Sequence, residues 1–251
     1  MQRPQKTAQA GCPCEGMLET ESNRGACSIA LTETERRDGA EDLLERILDR
    51  NNLNKAYLKV KRNGGSAGVD GMTVEEMLPY LKEHRGELLN ALKSGRYKPQ
   101  AVRRVEIPKP DGGVRKLGVP TVVDRMIQQA IVQVLQPMYE PLFSDSSYGF
   151  RPKRSAHQAI SKALEYYEQG YRYVVDLDLA KYFDTVNHAI LIGMLREQIK
   201  DERVVQLIRK YLRNGVMEHG LISPTREGTP QGGLCRAPHK PPYAEKNVMR
   251  S

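Results

Sequence analysis

Cysteine is nearly absent from the body of this chain. Its four cysteines, Cys12, Cys14, Cys27 and Cys235, all fall in the two tails. Their spacing matches no paired zinc knuckle, so reduced thiols are expected there rather than a metal centre. The five histidines, His84, His157, His188, His219 and His239, also lack metal-ligand spacing, and capping or surface roles suffice for them. No run of eighteen apolar residues occurs, which excludes a membrane-spanning helix by length. The N-terminus opens on polar residues without the apolar core of a signal peptide, so a cytoplasmic location is expected. No internal repeat is present.

What the chain does have is positive charge. The net charge is +8 over 251 residues, which points to an acidic partner, with nucleic acid as the default. The charge is uneven. Residues 1–40 carry five Lys/Arg against six Asp/Glu, whereas residues 93–125 hold nine basic and three acidic groups. A basic excess alone also describes a solvated surface, so the motifs must decide between the two.

Residues 1–40 show no periodic apolar face and read as a disordered leader. From Ala40 to Arg62 the apolar residues fit helical spacing, with a break expected near Asn51-Asn52. Asn63-Gly64-Gly65 ends that segment. Thr73 and Glu76 form a capping box that opens a helix reaching about Lys93. Val102–Ile107 and Val114–Val119 alternate like strands around the turn Pro110-Asp111-Gly112-Gly113. Helices are expected over Val122–Tyr139, Ser155–Gln169, His188–Gln198 and Asp201–Arg213. A buried strand is expected over Arg172–Asp178, and extended chain over Val216–Ile222. Helices interleaved with hairpins in this order predict an α+β fold, mostly helical, with an antiparallel sheet.

The most informative stretch is YVVDLDLAKYFDTVNH, Tyr173 to His188. A strand that ends on a carboxylate can hold Mg²⁺ against phosphate oxygens, because Mg²⁺ takes hard oxygen ligands and keeps open positions for substrate. Asp178 is the candidate ligand and catalytic residue, although an isolated strand-end Asp would more simply cap the turn. Phe183 follows five residues later. Asp176 faces the same side of the strand as Asp178 and is expected to pair with a basic neighbour. Asp184 is expected to cap the turn that follows.

The spacing of Asp178 and Phe183 resembles the first metal-binding motif of a reverse transcriptase palm. RRVEIPKPDGGVRKLGVPTVVDRMIQQAI (103–131), SYGFRPKRSAHQAI (147–160) and GTPQGG (228–233) stand in the order found in group II intron-encoded reverse transcriptases, the LtrA-like maturases. LNKAYLKVKRNGGSAGVDGMTVEEM (53–77) looks like their N-terminal extension. Together the resemblance covers roughly residues 41 to 233, and the set is specific where GTPQGG alone would not be.

The resemblance implies a right-hand polymerase: the leader at 1–40, an N-terminal extension over 41–100, fingers over 101–170 and a partial palm over 171–233. It also implies Mg²⁺ as cofactor, with Asp178 holding it. Phe183 would exclude a ribose 2′-hydroxyl, Lys109 and Arg115 would grip the triphosphate, and Gln231 would pack on the nascent base pair. Arg62, Arg103, Arg104, Arg125, Arg151, Lys153 and Arg154 would meet phosphates of the group II intron RNA that serves as template and primer. Deoxynucleoside triphosphates are the implied substrates, no membrane is involved, and a homodimer is compatible with the sequence.

One departure stands out. The family's Ala-Asp-Asp hairpin downstream of GTPQGG has no counterpart here. Residues 234–251 carry three prolines within Pro238–Pro242, where the family continues as a helix, and proline costs about 3 kcal/mol inside one. This aberrant tail is read as a frameshift or early stop. The expected function is that of an RNA-directed DNA polymerase of a group II intron, inactive as it stands. The rivals are a non-catalytic intron-RNA-binding maturase fragment and a degenerate product with no stable role.

Overall fold

The computed structural model describes residues 42–108, 112–179, 182–218, 220–225 and 227–229. The leader, Lys109, Gln231 and the tail from residue 234 lie outside them. The helices are α1 Leu43–Leu48, α2 Arg50–Asn63, α3 Met77–Lys93, α4 Val122–Tyr139, α5 Ala156–Glu168, α6 His188–Gln198 and α7 Glu202–Arg213. The strands are β1 Val102–Pro108, β2 Val114–Val119, β3 Val216–Glu218 and β4 Leu221–Ser223.

Helix α4 is the axis of the core. Val122, Met126, Ile127, Ala130, Ile131 and Leu135 are buried, and so are the polar Asp124, Gln128 and Gln129. A helix covered on nearly every side needs neighbours all round, and α1, α2 and α7 supply them. All four leucine and isoleucine residues of α1 (Leu43, Leu44, Ile47, Leu48) are buried. Helix α7 turns Val204, Val205, Leu207, Ile208, Tyr211 and Leu212 inward.

The expected break in the first helical segment falls at Asp49, slightly earlier than Asn51-Asn52. Its side chain accepts from the amides of Asn51 and Asn52 and starts α2 afresh. The reciprocal Thr73–Glu76 bonds form, with Thr73 N–H donating to Glu76 Oε2 at 2.8 Å and Glu76 N–H to Thr73 Oγ1 at 3.4 Å, but they close a turn ahead of α3, which begins only at Met77. Ser155 and Gln158 form a capping box at the start of α5.

The buried Asp124 carboxylate ties three segments together. It accepts from Tyr97 Oη at 2.7 Å, from Thr121 Oγ1 at 2.8 Å and from Gln100 N–H at 3.1 Å. Burial raises its carboxyl above the ordinary range, and those three donors oppose the rise.

The sheet is mixed, which corrects the antiparallel expectation. Its order is β2-β1-β3-β4. Both hairpins are antiparallel, but β1 and β3 run parallel, with Val102 opposite Val216 and Arg103 opposite Met217. A parallel pair needs a long crossover, and four helices between β2 and β3 provide it.

The larger correction concerns residues 172–178. They form no strand, and Tyr173, Val174, Val175 and Leu177 are 97%, 93%, 80% and 77% exposed. The β pattern is present, but no described segment lies alongside to take its backbone hydrogen bonds. Strand propensity is mostly a matter of packing on neighbours, so the pattern alone did not make a strand.

Asp201 clamps α1 to α7. It accepts from Leu44 N–H at 3.0 Å, caps α7 through Arg203 N–H, and pairs with the Arg203 guanidinium, which also grips Glu45. Burial alone would raise the Asp201 carboxyl, but Arg203 and the Leu44 amide outweigh it and hold it below the ordinary value. The hydrogen bond from Arg203 lowers Glu45 likewise. Both folded values lie below the unfolded references of 3.8 and 4.5. The stabilisation is therefore complete above about pH 4.5 and disappears as pH falls through the lower folded values. Urea unfolding between pH 2 and 6 should show stability falling at the acid end, with a shallower fall in Asp201→Asn.

Candidate functional site

The chain after residue 182 makes a compact structure with the start of GTPQGG. Tyr182–Asp184 form a single 3₁₀ turn, and the Phe183 ring lies edge-on to Tyr182 at 5.3 Å. Thr229 N–H donates to the Phe183 carbonyl at 2.7 Å, and Gly228 N–H to the Val186 carbonyl at 2.8 Å. Residues separated by some 45 positions are thus zipped backbone to backbone. Gly228 makes this approach feasible. A Cβ there would stand 2.8 Å from the Asp184 oxygen and 2.9 Å from that of Phe183, and its φ is +80°, a conformation that glycine adopts without penalty.

His188 completes the junction. It is buried, and its Nε2 lies 2.6 Å from the Gly228 carbonyl oxygen, an N–H donor facing an acceptor. The sequence reading left His188 to capping or surface duty. In the structure Asn187 caps α6 instead, accepting from Ala189 and Ile190 amides. The expected capping carboxylate, Asp184, is exposed. A histidine just inside a helix start carries no signature of a partner 40 residues away, so nothing in the local sequence could have shown this.

Asp178 makes no hydrogen bond to that junction among the described residues. It is exposed in the extended segment, where its own Oδ1 accepts from Leu179 N–H at 2.9 Å. Asp176 is exposed two residues back and makes no ion pair among the described residues, so the expected basic partner is not found there. No group of three or more His, Cys, Asp or Glu side chains able to hold a metal exists among the described residues. Among the described residues the donor set therefore does not fit a two-metal centre.

The basic candidates separate into two kinds. Arg103 donates through Nε and Nη2 to the Ala67 carbonyl at 3.0 and 2.7 Å, and Arg125 donates to Gly64 and Ser66 carbonyls at 3.0 and 2.9 Å. Between them they hold the 64–68 loop against α4, so tightly that a Cβ on Gly68 would meet Thr121 Cα at 2.6 Å. Arg151 pairs with Glu140 at 2.9 Å with only 6% of its side chain exposed, and its guanidinium lies 5.0 Å from the Phe143 ring centre. Arg154 reaches Asp145 at 3.3 Å and lies over Tyr148. These four side chains spend their donors on the protein itself.

Arg62, Arg115 and Lys153 are exposed instead, and Arg104 is half-buried on β1. Arg115 sits on β2 opposite Ile107. Arg62 belongs to a cationic row on α2 that includes Lys55, Lys59 and Lys61. The sequence reading picked out Arg62 alone, although the i, i+4, i+7 spacing of Lys55, Lys59 and Arg62 would have revealed one face.

Replacing Gly228 with alanine should lower stability by about 2–4 kcal/mol, combining left-handed strain with overpacking. Gly220, at φ +81° with nothing within 4 Å, is the control and should lose only about 1–2 kcal/mol. Urea melts of both variants check this difference.

Comparison with known proteins places these features. A family model described as reverse transcriptase (RNA-dependent DNA polymerase) matches residues 107–236, more than half of the chain. The group II intron-encoded protein LtrA of Lactococcus lactis subsp. cremoris is 39% identical over 180 residues, which cover 71% of this chain and 30% of LtrA. Protein YkfC of Escherichia coli K12 is 39% identical over 171 residues, or 66% of this chain and 45% of YkfC. The chain thus spans less than half the length of either relative. A chain of the partial Cas6-RT-Cas1–Cas2 complex superposes with a TM-score of 0.52 at 23% identity, covering 78% of this chain and 32% of that one, a likeness of fold alone. With the family match running from the β1–β2 hairpin through Asp178 and Phe183 to GTPQGG, this chain belongs to the reverse transcriptase family.

Proposed function

We propose that the chain supplies the N-terminal extension (41–100), the fingers (101–170) and the leading part of the palm (171–233) of a group II intron RNA-directed DNA polymerase. The observation that carries this reading is the junction of Phe183 with Thr229. Two segments that the family's motifs assign to the incoming nucleotide are joined by backbone hydrogen bonds. In this reading Phe183 forms the floor beneath the deoxyribose, Arg115 and Lys109 hold the triphosphate, and Gln231 continues the wall that Thr229 begins.

Polymerases of this family generally use divalent metal ions, and Mg²⁺ on Asp178 is the proposed form here. A bound pair of ions would supply charge neutralisation at the transferring phosphate. That pair needs more carboxylates than Asp178 and its neighbour Asp176 provide. Accordingly, the chain alone binds RNA and does not extend primers.

The surface supports the binding half. Lys55, Lys59 and Arg62 project from α2 with no acidic side chain among the residues around them. Such a row tracks a phosphate backbone and adds salt-dependent affinity. Arg103 and Arg125 act indirectly, by fixing the loop that follows α2.

Fluorescence anisotropy with a single-stranded RNA, run beside a primer-extension assay with Mg²⁺, tests both halves. Binding should weaken steeply with salt. In the triple variant Lys55→Gln, Lys59→Gln, Arg62→Gln, the log–log salt slope should shrink by about 2, at about 0.7 per lost phosphate contact. Salt-independent binding would overturn the RNA reading. Primer extension that is lost in Asp178→Ala would overturn the inactivity.

A further inference from the structure

The loop between α4 and α5 holds two side chains in a backbone conformation that L residues avoid. Phe150 has φ +57° and Lys153 has φ +59°. Glycine or asparagine normally fills that left-handed region, and a bulky ring there is an outlier. Such strain persists only where the surrounding structure imposes it.

Arg151 imposes it. Its Nε donates to Glu140 Oε1 at 3.0 Å, and its Nη1 donates to the Ser144 and Ser147 carbonyls at 2.6 and 3.1 Å. With its guanidinium against the Phe143 ring and its side chain enclosed, Arg151 is an inward anchor. Arg154 N–H then donates to the Arg151 carbonyl at 3.4 Å. This closes a turn with Pro152 in second place and Lys153 in third. A type II turn favours proline in second place and demands a positive φ in third. Arg154 is itself tied to Asp145 and lies 5.5 Å from the Tyr148 ring centre.

The loop is thus pinned at Arg151 and Arg154, and it sets Phe150 and Lys153 outward. Phe150 is 67% exposed. Lys153 is exposed and makes no ion pair among the described residues. Glycine at position 150 would adopt the same backbone without strain, so the turn itself does not need the ring. An aromatic face and an ammonium group therefore stand three residues apart on an anchored turn. That pair matches one nucleotide of a single strand, whose base can stack on a ring while its phosphate meets a cation. A base inside a duplex has both faces covered by its neighbours.

We infer that Phe150 is a stacking platform for one unpaired base of an RNA strand, with Lys153 on the adjacent phosphate. The inference deepens the RNA-binding half of the proposed function and rests on it. Stacking adds affinity that salt does not screen, whereas the row on α2 adds affinity that salt removes.

The test uses a short oligouridine carrying one 2-aminopurine, placed at each position in turn, with full-length protein. Wild type should quench the 2-aminopurine fluorescence on binding. Phe150→Gly should lose the quench and bind about tenfold more weakly, within the range of one base–aromatic stack. Its log–log salt slope should not change, and in urea it should be at least as stable as wild type, because the left-handed strain is relieved. Phe150→Trp should keep both quench and affinity. Phe150→Leu keeps apolar bulk without a ring, so it guards against a folding failure, and it should also lose the quench. Lys153→Gln should keep the quench and reduce the salt slope by about 0.7.

Quench and affinity unchanged in Phe150→Gly or Phe150→Leu overturn the inference and leave the RNA reading standing. So does a Phe150→Gly variant that unfolds more easily yet binds as wild type does, because the ring then packs on the protein. A salt slope unchanged in Lys153→Gln removes the phosphate contact. Wild type that binds no RNA at low salt overturns both readings together.

Discussion

The join between the helical extension, the β1–β2 hairpin and the core helix depends on one buried carboxylate. Asp124 sits at the first turn of the helix around which the core is built, in surroundings that disfavour its charge. It is retained because three donors converge on it, from the end of α3, from the approach to β1 and from the cap of α4 itself. A buried charge left without those donors would cost several kcal/mol. The same group therefore sets the distance between the helical extension and the hairpin. Arg103 and Arg125 build on that placement from either side, and the 64–68 loop is closed over α4 by carbonyls that would otherwise face water.

The second organising contact joins the Tyr182–Asp184 turn to the start of GTPQGG. Phe183 and Thr229 meet through main-chain atoms, so the contact does not depend on side chains at those two positions. It depends on a position with no side chain, Gly228, and on an imidazole that holds the next carbonyl. A junction built this way fixes its backbone while leaving its side chains open to change.

Local signals were legible in the sequence wherever the interaction itself is local. The Thr73–Glu76 bonds, the β1–β2 hairpin and the helix limits around α4, α6 and α7 all arise within a few residues. What could not be read was set at a distance. The parallel β1–β3 pair joins strands separated by four helices, and the reading of an all-antiparallel sheet had no term for it. Residues 172–178 show the reverse error, a good strand pattern without a neighbour. The partners of His188, Arg103 and Arg125 lie outside any window a local pattern covers. Arg151 looks identical in sequence whether it faces a phosphate or, as here, Glu140.

The Asp201–Arg203 clamp on α1 also has a consequence in time. Its two ends are separated by 157 and 158 positions, so α1 leaves the ribosome long before the residues that fasten it. At about 5–20 residues per second, the wait is roughly 8–30 s. Over that interval Leu43, Leu44, Ile47 and Leu48 have no α7 to cover them. Until then α1 rests on α2 and α4 alone, which are made earlier, so the clamp is the last part of its cover to form.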